Sequence, residues 1–286
     1  MRLKIFSCHH LQPETTCNTE IFQSLVSNVQ EPPDRSFMSD LSGINIADNN
    51  LYSELRHQYF VWKNLLKDYD YIGFEHYRRP FFIDTLPMVD LAAQFPAVWG
   101  LRLYFASNRA AALLPDPTVV AQYWDMRRSL DQEAMNEVKR VIGGYDIIVP
   151  RPNLENIKHQ WEKYFADETL WNTMVESVNE NSYFKTHPRL VFFEAHVCYF
   201  ANMYIMRRDL LDEYLTFCFE ALDFCRSRLT LRGRALGYFS ERLFSFWFQQ
   251  KRVETPSLRV LELPLLMQKP AGYNSRDPHN AAAPEV

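Results

Sequence analysis

Apolar positions recur along this chain with two different periods, and their alternation predicts an α/β order. Leu3 to Ser7 reads as a short buried strand that hands the chain to a polar loop at Cys8, His9 and His10, as α/β proteins deliver polar groups to the carboxyl edge of a sheet. Leu51, Leu55, Tyr59, Trp62 and Leu66 recur at helical spacing behind Asn50, which predicts a helix from Leu51 to Leu66 with Asn50 as its cap. The aromatic run from Tyr69 to Phe74 predicts a buried strand, and it ends in Glu75, His76, Tyr77, Arg78 and Arg79 before Pro80.

Pro117 opens a further helix, another runs from Asp131 to Ile142, and Gly143 and Gly144 stop it before the apolar strand from Tyr145 to Pro150. Beyond Arg151 the pattern predicts helices from Leu154 to Phe165 and Glu168 to Val178, a strand from Cys198 to Met206, and long helices from Asp209 to about Arg228 and Ala235 to Gln250. The stretch from Pro13 to Asn50 reads as an irregular surface excursion, and Pro87 to Arg109 has no clear period. This divides the chain into a Rossmann-like half, 1–150, a mostly helical half, 151–271, and a disordered tail, 272–286.

Composition narrows the classes. The 286 residues carry 47% hydrophobic and 15% aromatic side chains, enough for one large core or two small lobes. A net charge of -4 supplies no broad basic field, which argues against nucleic acid as a partner without excluding a local contact. The five cysteines form no C-x-x-C pair, their odd number argues against a complete disulfide framework, and they read as reduced thiols. The apolar run at the start is too short for a signal peptide, and every longer one is interrupted by polar residues. A cytoplasmic protein whose membrane contact is at most peripheral is expected. No P-loop, G-x-G-x-x-G, G-x-S-x-G or H-E-x-x-H is present.

Three segments together carry a resemblance: Ser39 to Leu65 (SDLSGINIADNNLYSELRHQYFVWKNL), Asp70 to Phe82 (DYIGFEHYRRPFF), and Ala201 to Met206 (ANMYIM) with Gly237 to Trp247 (GYFSERLFSFW). With YDIIVPRP (Tyr145 to Pro152) in the matching place, they resemble the DUF4422 family of bacterial glycosyltransferases, often found among capsular and exopolysaccharide assembly proteins. The likeness covers most of residues 1 to 265. It implies a GT-A-like fold and an enzyme, a hexosyl- or pentosyltransferase, that moves a sugar from a nucleotide-sugar donor to a glycan or other hydroxyl acceptor.

Many GT-A enzymes hold a divalent cation with a D-x-D motif at a strand end. Here that place holds Glu75, His76, Tyr77, Arg78 and Arg79. Arg78 and Arg79 are candidates for neutralising the leaving diphosphate without a metal, against the plain alternative of a solvated loop pair. The competing arrangement puts Mn2+ or Mg2+ between Glu75 and His76, although histidine is a poor Mg2+ ligand. His9, His10, His76 and Asp48 are further donor-side candidates, with polar loop residues and a packed or hydrogen-bonded histidine as the alternatives.

Glu194 and His196 alternate on an extended segment, so they share a face. For an inverting reaction Glu194 is the first candidate for the base that takes the acceptor's proton and His196 the second. Asn202 and Glu241 are acceptor-side candidates. A local amide network and a buried Glu241–Arg242 ion pair are the structural alternatives. Three alternatives stand beside this reading: a metal-dependent hydrolase using His9, His10, Glu75 and His76, which no zinc-ligand spacing supports; a non-catalytic sugar-binding scaffold, consistent with the aromatic content; and a glycosyltransferase acting on DNA bases, against which the acidic balance argues mildly.

Overall fold

The computed structural model describes residues 1–10, 13, 16–84, 88–165, 167–191, 193, 197–199 and 201–268, without the side chains of 88, 89 and 164. In chain order the elements are β1 (Leu3–His9), β2 (Phe22–Val26), β3 (Met38–Ser39), α1 (Leu55–Leu65), β4 (Tyr71–His76), α2 (Met88–Gln94), α3 (Pro96–Ser107), β5 (Ala112–Leu113) and α4 (Pro117–Arg128). Then follow α5 (Gln132–Gly143), β6 (Ile147–Pro150), α6 (Ile157–Tyr164), α7 (Glu168–Asn179), β7 (Tyr204–Arg207), α8 (Arg208–Arg228), α9 (Ala235–Glu254), β8 (Val260–Leu263) and β9 (Leu265–Leu266).

Among the described residues seven strands form one sheet in the order β3-β2-β1-β4-β7-β6-β8. β1 pairs in parallel with β2 and β4, whereas β7 runs antiparallel to both β4 and β6. One reversed strand thus sits inside an otherwise parallel sheet, and the second half of the chain completes the sheet that the first half begins. β4 and β7 approach so closely that a Cβ on Gly73 would lie 2.7 Å from Ile205 Cγ1. Only glycine fits there.

Alternation along β1 and β4 sends Phe6, Cys8, Ile72 and Phe74 to one face. There they pack with Tyr204, Tyr214, Phe244 and Trp247 under α8 and α9. Leu3, Ile5 and Tyr71 take the other face with Val138 and Ile142 of α5. Both faces are covered, as a mainly parallel sheet requires. Cys218 and Cys225 lie in the first core as their spacing predicts, and all five thiols are free and buried.

Several elements differ from expectation for identifiable reasons. The supposed excursion before Asn50 contains β2 and β3. FQSLV has no clear period, and its burial comes from parallel pairing in the register Ile5↔Phe22 to His9↔Val26. The helix expected from Leu51 begins at Leu55, because Ser53 adopts a left-handed φ of 50° after a single 3-10 turn. Asn49, not Asn50, caps that turn, its Oδ1 accepting from Leu51 N at 3.1 Å. The strand expected from Cys198 shrinks to β7 because Ala201 and Asn202 have φ of 78° and 49°. The aperiodic stretch before Arg109 holds α2 and α3, and β8 was not anticipated. The tail 272–286 lies outside the described residues.

Candidate functional site

β1 connects to β2 on one side of the sheet while β4 lies on the other, so the carboxyl ends of β1 and β4 flank a switch point. His9, His10 and His76 meet there, and the chain leaves β4 through a tight turn closed by Arg79 N donating to His76 O at 2.7 Å. The turn is fastened from outside: Gln268 N donates to Arg78 O, Leu266 N to Pro80 O, and Phe82 N to Pro264 O. Sequence HYRR therefore becomes a rigid projection at the sheet edge.

Tyr77 organises the histidines. Its ring stacks on His9 at 4.8 Å and on His76 at 4.7 Å between centroids. Arg78 N donates to His76 Nδ1 at 3.1 Å, and His76 Nε2 lies 3.2 Å from His10 Nε2. Burial first, then the neighbouring His10 and the two arginines, push the His76 pKa well below its ordinary value. Burial and His10 bring His9 down to about 3. Burial also lowers His10, with Arg234, Arg78 and Arg79 adding to the effect against Glu54. The rings are neutral at pH 7. A backbone N–H can only donate, so His76 carries its proton on Nε2 and donates to His10, whose own proton is then on Nδ1.

Arg78 and Arg79 are half-buried, and Arg78 lies over the Tyr77 ring at 5.3 Å. Among the described residues no carboxylate lies within ion-pair distance of either guanidinium. Glu75 is the contrast. Alternation turns it to the opposite face of β4 from His76, where Ser7 Oγ donates to it at 2.6 Å and Arg127 Nη2 at 3.1 Å. The Glu75 carboxylate is consumed in a buried ion pair with Arg127, and it does not converge with His76 on any one point. The two do not fit a shared Mn2+ or Mg2+, and the described residues contain no cluster of three or more metal-ligating side chains.

A cleft of about 220 Å³ adjoins His10 and is lined by Ser27, Asn28, Asn50, Ser53, Arg56 and Arg234. Arg56 is buried against Asp40, at 3.2 Å, and donates to Asn28 Oδ1 at 2.7 Å and Asn50 Oδ1 at 3.2 Å. Arg234 closes the wall by donating to Ser53 Oγ at 2.9 Å and pairing with Glu54 at 3.2 Å. Burial alone would raise the Glu54 pKa, yet Arg234, Ser53 and Asn202 together hold it below the ordinary value. A larger cleft of about 720 Å³, edged by Asp90, Asp131, Glu133 and Glu137, includes none of these strand-end residues.

The acceptor-side candidates fall differently. Asn202 is spent internally: its amide donates to Glu54 Oε1 and Gly237 O, both at 3.1 Å, and accepts from Ser240 Oγ at 2.8 Å. It closes a local network instead of offering an amide to a sugar. Glu241 accepts from Ala201 N at 3.0 Å and from Arg242 at 2.9 Å, so it holds the left-handed turn in place. Burial, then Glu54, raise its pKa despite Arg242 and Arg79. Asp48 is exposed and does not line the cleft. Glu194 and His196 lie outside the described residues.

The family model for the domain of unknown function DUF4422 matches residues 4–252. The chain belongs to this family. Among solved structures, the apo bifunctional glycosyltransferase WbbM is similar with a TM-score of 0.66 at 22% identity, over 94% of this chain and 46% of that one. This DUF4422 chain thus spans less than half the length of WbbM. No curated protein matches it. The shared architecture is the mixed, GT-A-like α/β fold described above. No helix among the described residues is long and apolar enough to cross a membrane.

The sequence pattern does not single out Asn28, Arg56 or Arg234, and the segment after Asn50 shows in it only as an amphipathic helix. A signal was there: Glu54, Arg56, His57 and Gln58 are four polar residues in the span of one helical turn, and all are buried.

Proposed function

We propose that the chain transfers a sugar from a nucleoside-diphosphate donor to a hydroxyl acceptor, with Arg78 and Arg79 taking up the charge of the leaving diphosphate. The observation that carries this reading is a pair of half-buried guanidiniums at the switch point with no carboxylate partner among the described residues. A cation left without an anion at a partly dry site is poised for an external one, and guanidinium geometry suits phosphate oxygens. The neutral His10 adds a hydrogen-bond donor at Nδ1 without competing for the anion, and His76, bonded at both ring nitrogens, holds it in place. Negative charge on the leaving oxygen grows as the glycosidic bond breaks, so arginines already in position lower the barrier.

The acceptor hydroxyl must lose a proton as it attacks. Glu194, then His196, are the proposed bases; both precede the left-handed turn in sequence. Glu241, through Ala201 N, would fix the acceptor-side wall. The family resemblance favours surface polysaccharide synthesis in the cytoplasm as the setting, and no feature of the site requires a metal for this scheme.

Calorimetric titration of the purified chain with nucleoside diphosphates, in EDTA and in Mn2+, tests the proposal. Binding should survive EDTA and weaken at least tenfold when Arg78→Ala and Arg79→Ala are combined, with the melting curve unchanged. Binding only in Mn2+ would replace the arginine scheme with a metal one. No binding under either condition would remove the transferase reading.

A further inference from the structure

We infer that Arg234 supplies a third guanidinium to the diphosphate, from the cleft side of His10, and that the donor site is therefore built by both halves of the chain. The inference rests on the donor-binding reading above and adds to it a ligand-binding residue that Arg78 and Arg79 do not include.

The argument starts from how a guanidinium can be shared. Its five N–H groups lie along two usable edges, a side edge formed by Nε with one Nη and an end fork formed by the two Nη groups. Arg234 gives its side edge to the protein: Nε donates to Ser53 Oγ at 2.9 Å and Nη2 to Glu54 Oε2 at 3.2 Å. Among the described residues nothing accepts from Nη1. The end fork is left open on a side chain that is 51% exposed and lines the cleft. Two oxygens of a phosphate fit such a fork. Arg56, on the same cleft, shows the other arrangement: both of its Nη groups are bonded within the wall, to Asn50 and to Asn28, and it is buried.

Glu54 does not cancel this cation. Its Oε1 accepts from Asn202 Nδ2 at 3.1 Å, and its Oε2 accepts from Ser53 Oγ as well as from Arg234. The carboxylate is buried on the protein side of the guanidinium, where together with Ser53 it fixes the plane of the fork. The position of the fork is also right. Beyond the effect of burial, and against Glu54, the His10 pKa is lowered by Arg234, Arg78 and Arg79 alike, which puts three cations around one neutral ring. A nucleoside diphosphate leaving its sugar carries three negative charges, and Arg78 and Arg79 answer two of them. Arg234 stands immediately ahead of α9, in the half of the chain that completes the sheet, so the diphosphate ties the start of α9 to the end of β4.

The test is calorimetric titration of the full chain with UDP, TDP, CDP and GDP in EDTA, repeated with Arg234→Ala and with Arg234→Ala joined to Glu54→Gln. The double variant removes the ion pair as a unit, so no carboxylate is stranded in the wall and a loss of binding cannot come from a damaged fold. Melting curves on the same samples check this. We expect whichever diphosphate binds the native chain to bind at least about tenfold more weakly in both variants, the loss of one charge-assisted contact to phosphate. Inorganic pyrophosphate, used as a competitor, should lose affinity by a similar factor, because the contact is to the diphosphate and not to the nucleoside. Affinity in the double variant within about twofold of the native chain would overturn the inference and leave the donor reading, which stands on Arg78 and Arg79, in place. A loss for the nucleotides with pyrophosphate competition unchanged would overturn it as well. Absence of binding of every diphosphate to the native chain would remove both.

Discussion

Strand β4 ends with two arginine arrangements that sit almost back to back and behave in opposite ways. On one face Glu75 meets Arg127, whose guanidinium bonds both carboxylate oxygens and Phe81 O and lies over the rings of Phe22, Tyr123 and Trp124. Just beyond the other face Arg78 and Arg79 stand half-buried beside neutral histidines. A buried guanidinium bonded to both oxygens of one carboxylate marks a charge that holds the fold together. The half-buried pair, with no carboxylate in ion-pair distance among the described residues, is the one the proposed function assigns to an external anion. The same residue type therefore has to be judged by what surrounds it.

The contrast breaks most readily on the closed side. Arg127→Met strands the Glu75 carboxylate in the core, so unfolding should be easier by about 3 to 5 kcal/mol in urea melts. Adding Glu75→Leu should recover most of that loss, because the pair's desolvation cost disappears with its attraction. Recovery of nothing would mean the pair is worth more than its own repair.

On the open side stability should hardly move. Arg78→Ala and Arg79→Ala are each expected to change it by no more than about 0.5 kcal/mol, while each costs about 1.5 to 3 kcal/mol of nucleoside-diphosphate binding, measured by calorimetry and melting on the same samples. Large destabilisation by either would place that arginine with Arg127.

The neutral histidines sharpen the difference through pH. His9 and His57 have folded pKa values of about 3, below the ordinary 6.5, mainly because they are buried. Below pH 6.5 the unfolded chain binds protons that the folded chain refuses. Stability is therefore full above pH 6.5 and falls by up to about 1.4 kcal/mol per pH unit for each group as pH drops toward 3. Urea melts at pH 7, 6 and 5 would show this, and a flat profile would mean the rings are charged in the fold.

The smallest expected effect concerns the turn at Ala201, where φ is 78°. Ala201→Gly should relieve strain and stabilise by up to about 1 kcal/mol, the glycine's added freedom in the unfolded chain offsetting part of the gain. A clear loss in thermal melts would show that the methyl group packs against something essential.

Much of this arrangement was legible in the residue pattern, and what was not has a common cause. An apolar run ending abruptly in charge located the end of β4. Pro117 does open α4 and the glycines at 143 and 144 do close α5, because such punctuation is a local signal; Asp116 and Asp131 cap the two helices through Thr118 N at 2.9 Å and Ala134 N at 2.8 Å. Partnerships between distant residues were not legible. Arg127 and Arg128 look identical as a basic last turn of α4, yet one side chain is 1% exposed and the other 36%. Only the sheet, which places Glu75 over Arg127, tells them apart. β2 was missed likewise, since its burial depends on a neighbour and not on its own alternation. Asn202 and Glu241 stand out in the sequence as polar residues among apolar ones, but their partners, Glu54, Ser240 and Ala201 N, decide what they do.

The fastening of the arginine turn by residues 264–268 has a consequence in time. Translation produces β4 well before this clasp, and the helices of the described residues all lie upstream of it. The backbone bonds from Leu266 to Pro80 and from Gln268 to Arg78 thus wait on nearly 190 further residues, on the order of 10 to 40 s at ribosomal speed. A nascent polypeptide carries the guanidiniums without their clasp until residues 264–268 emerge, so the finished geometry of the turn follows the elements it is pinned to.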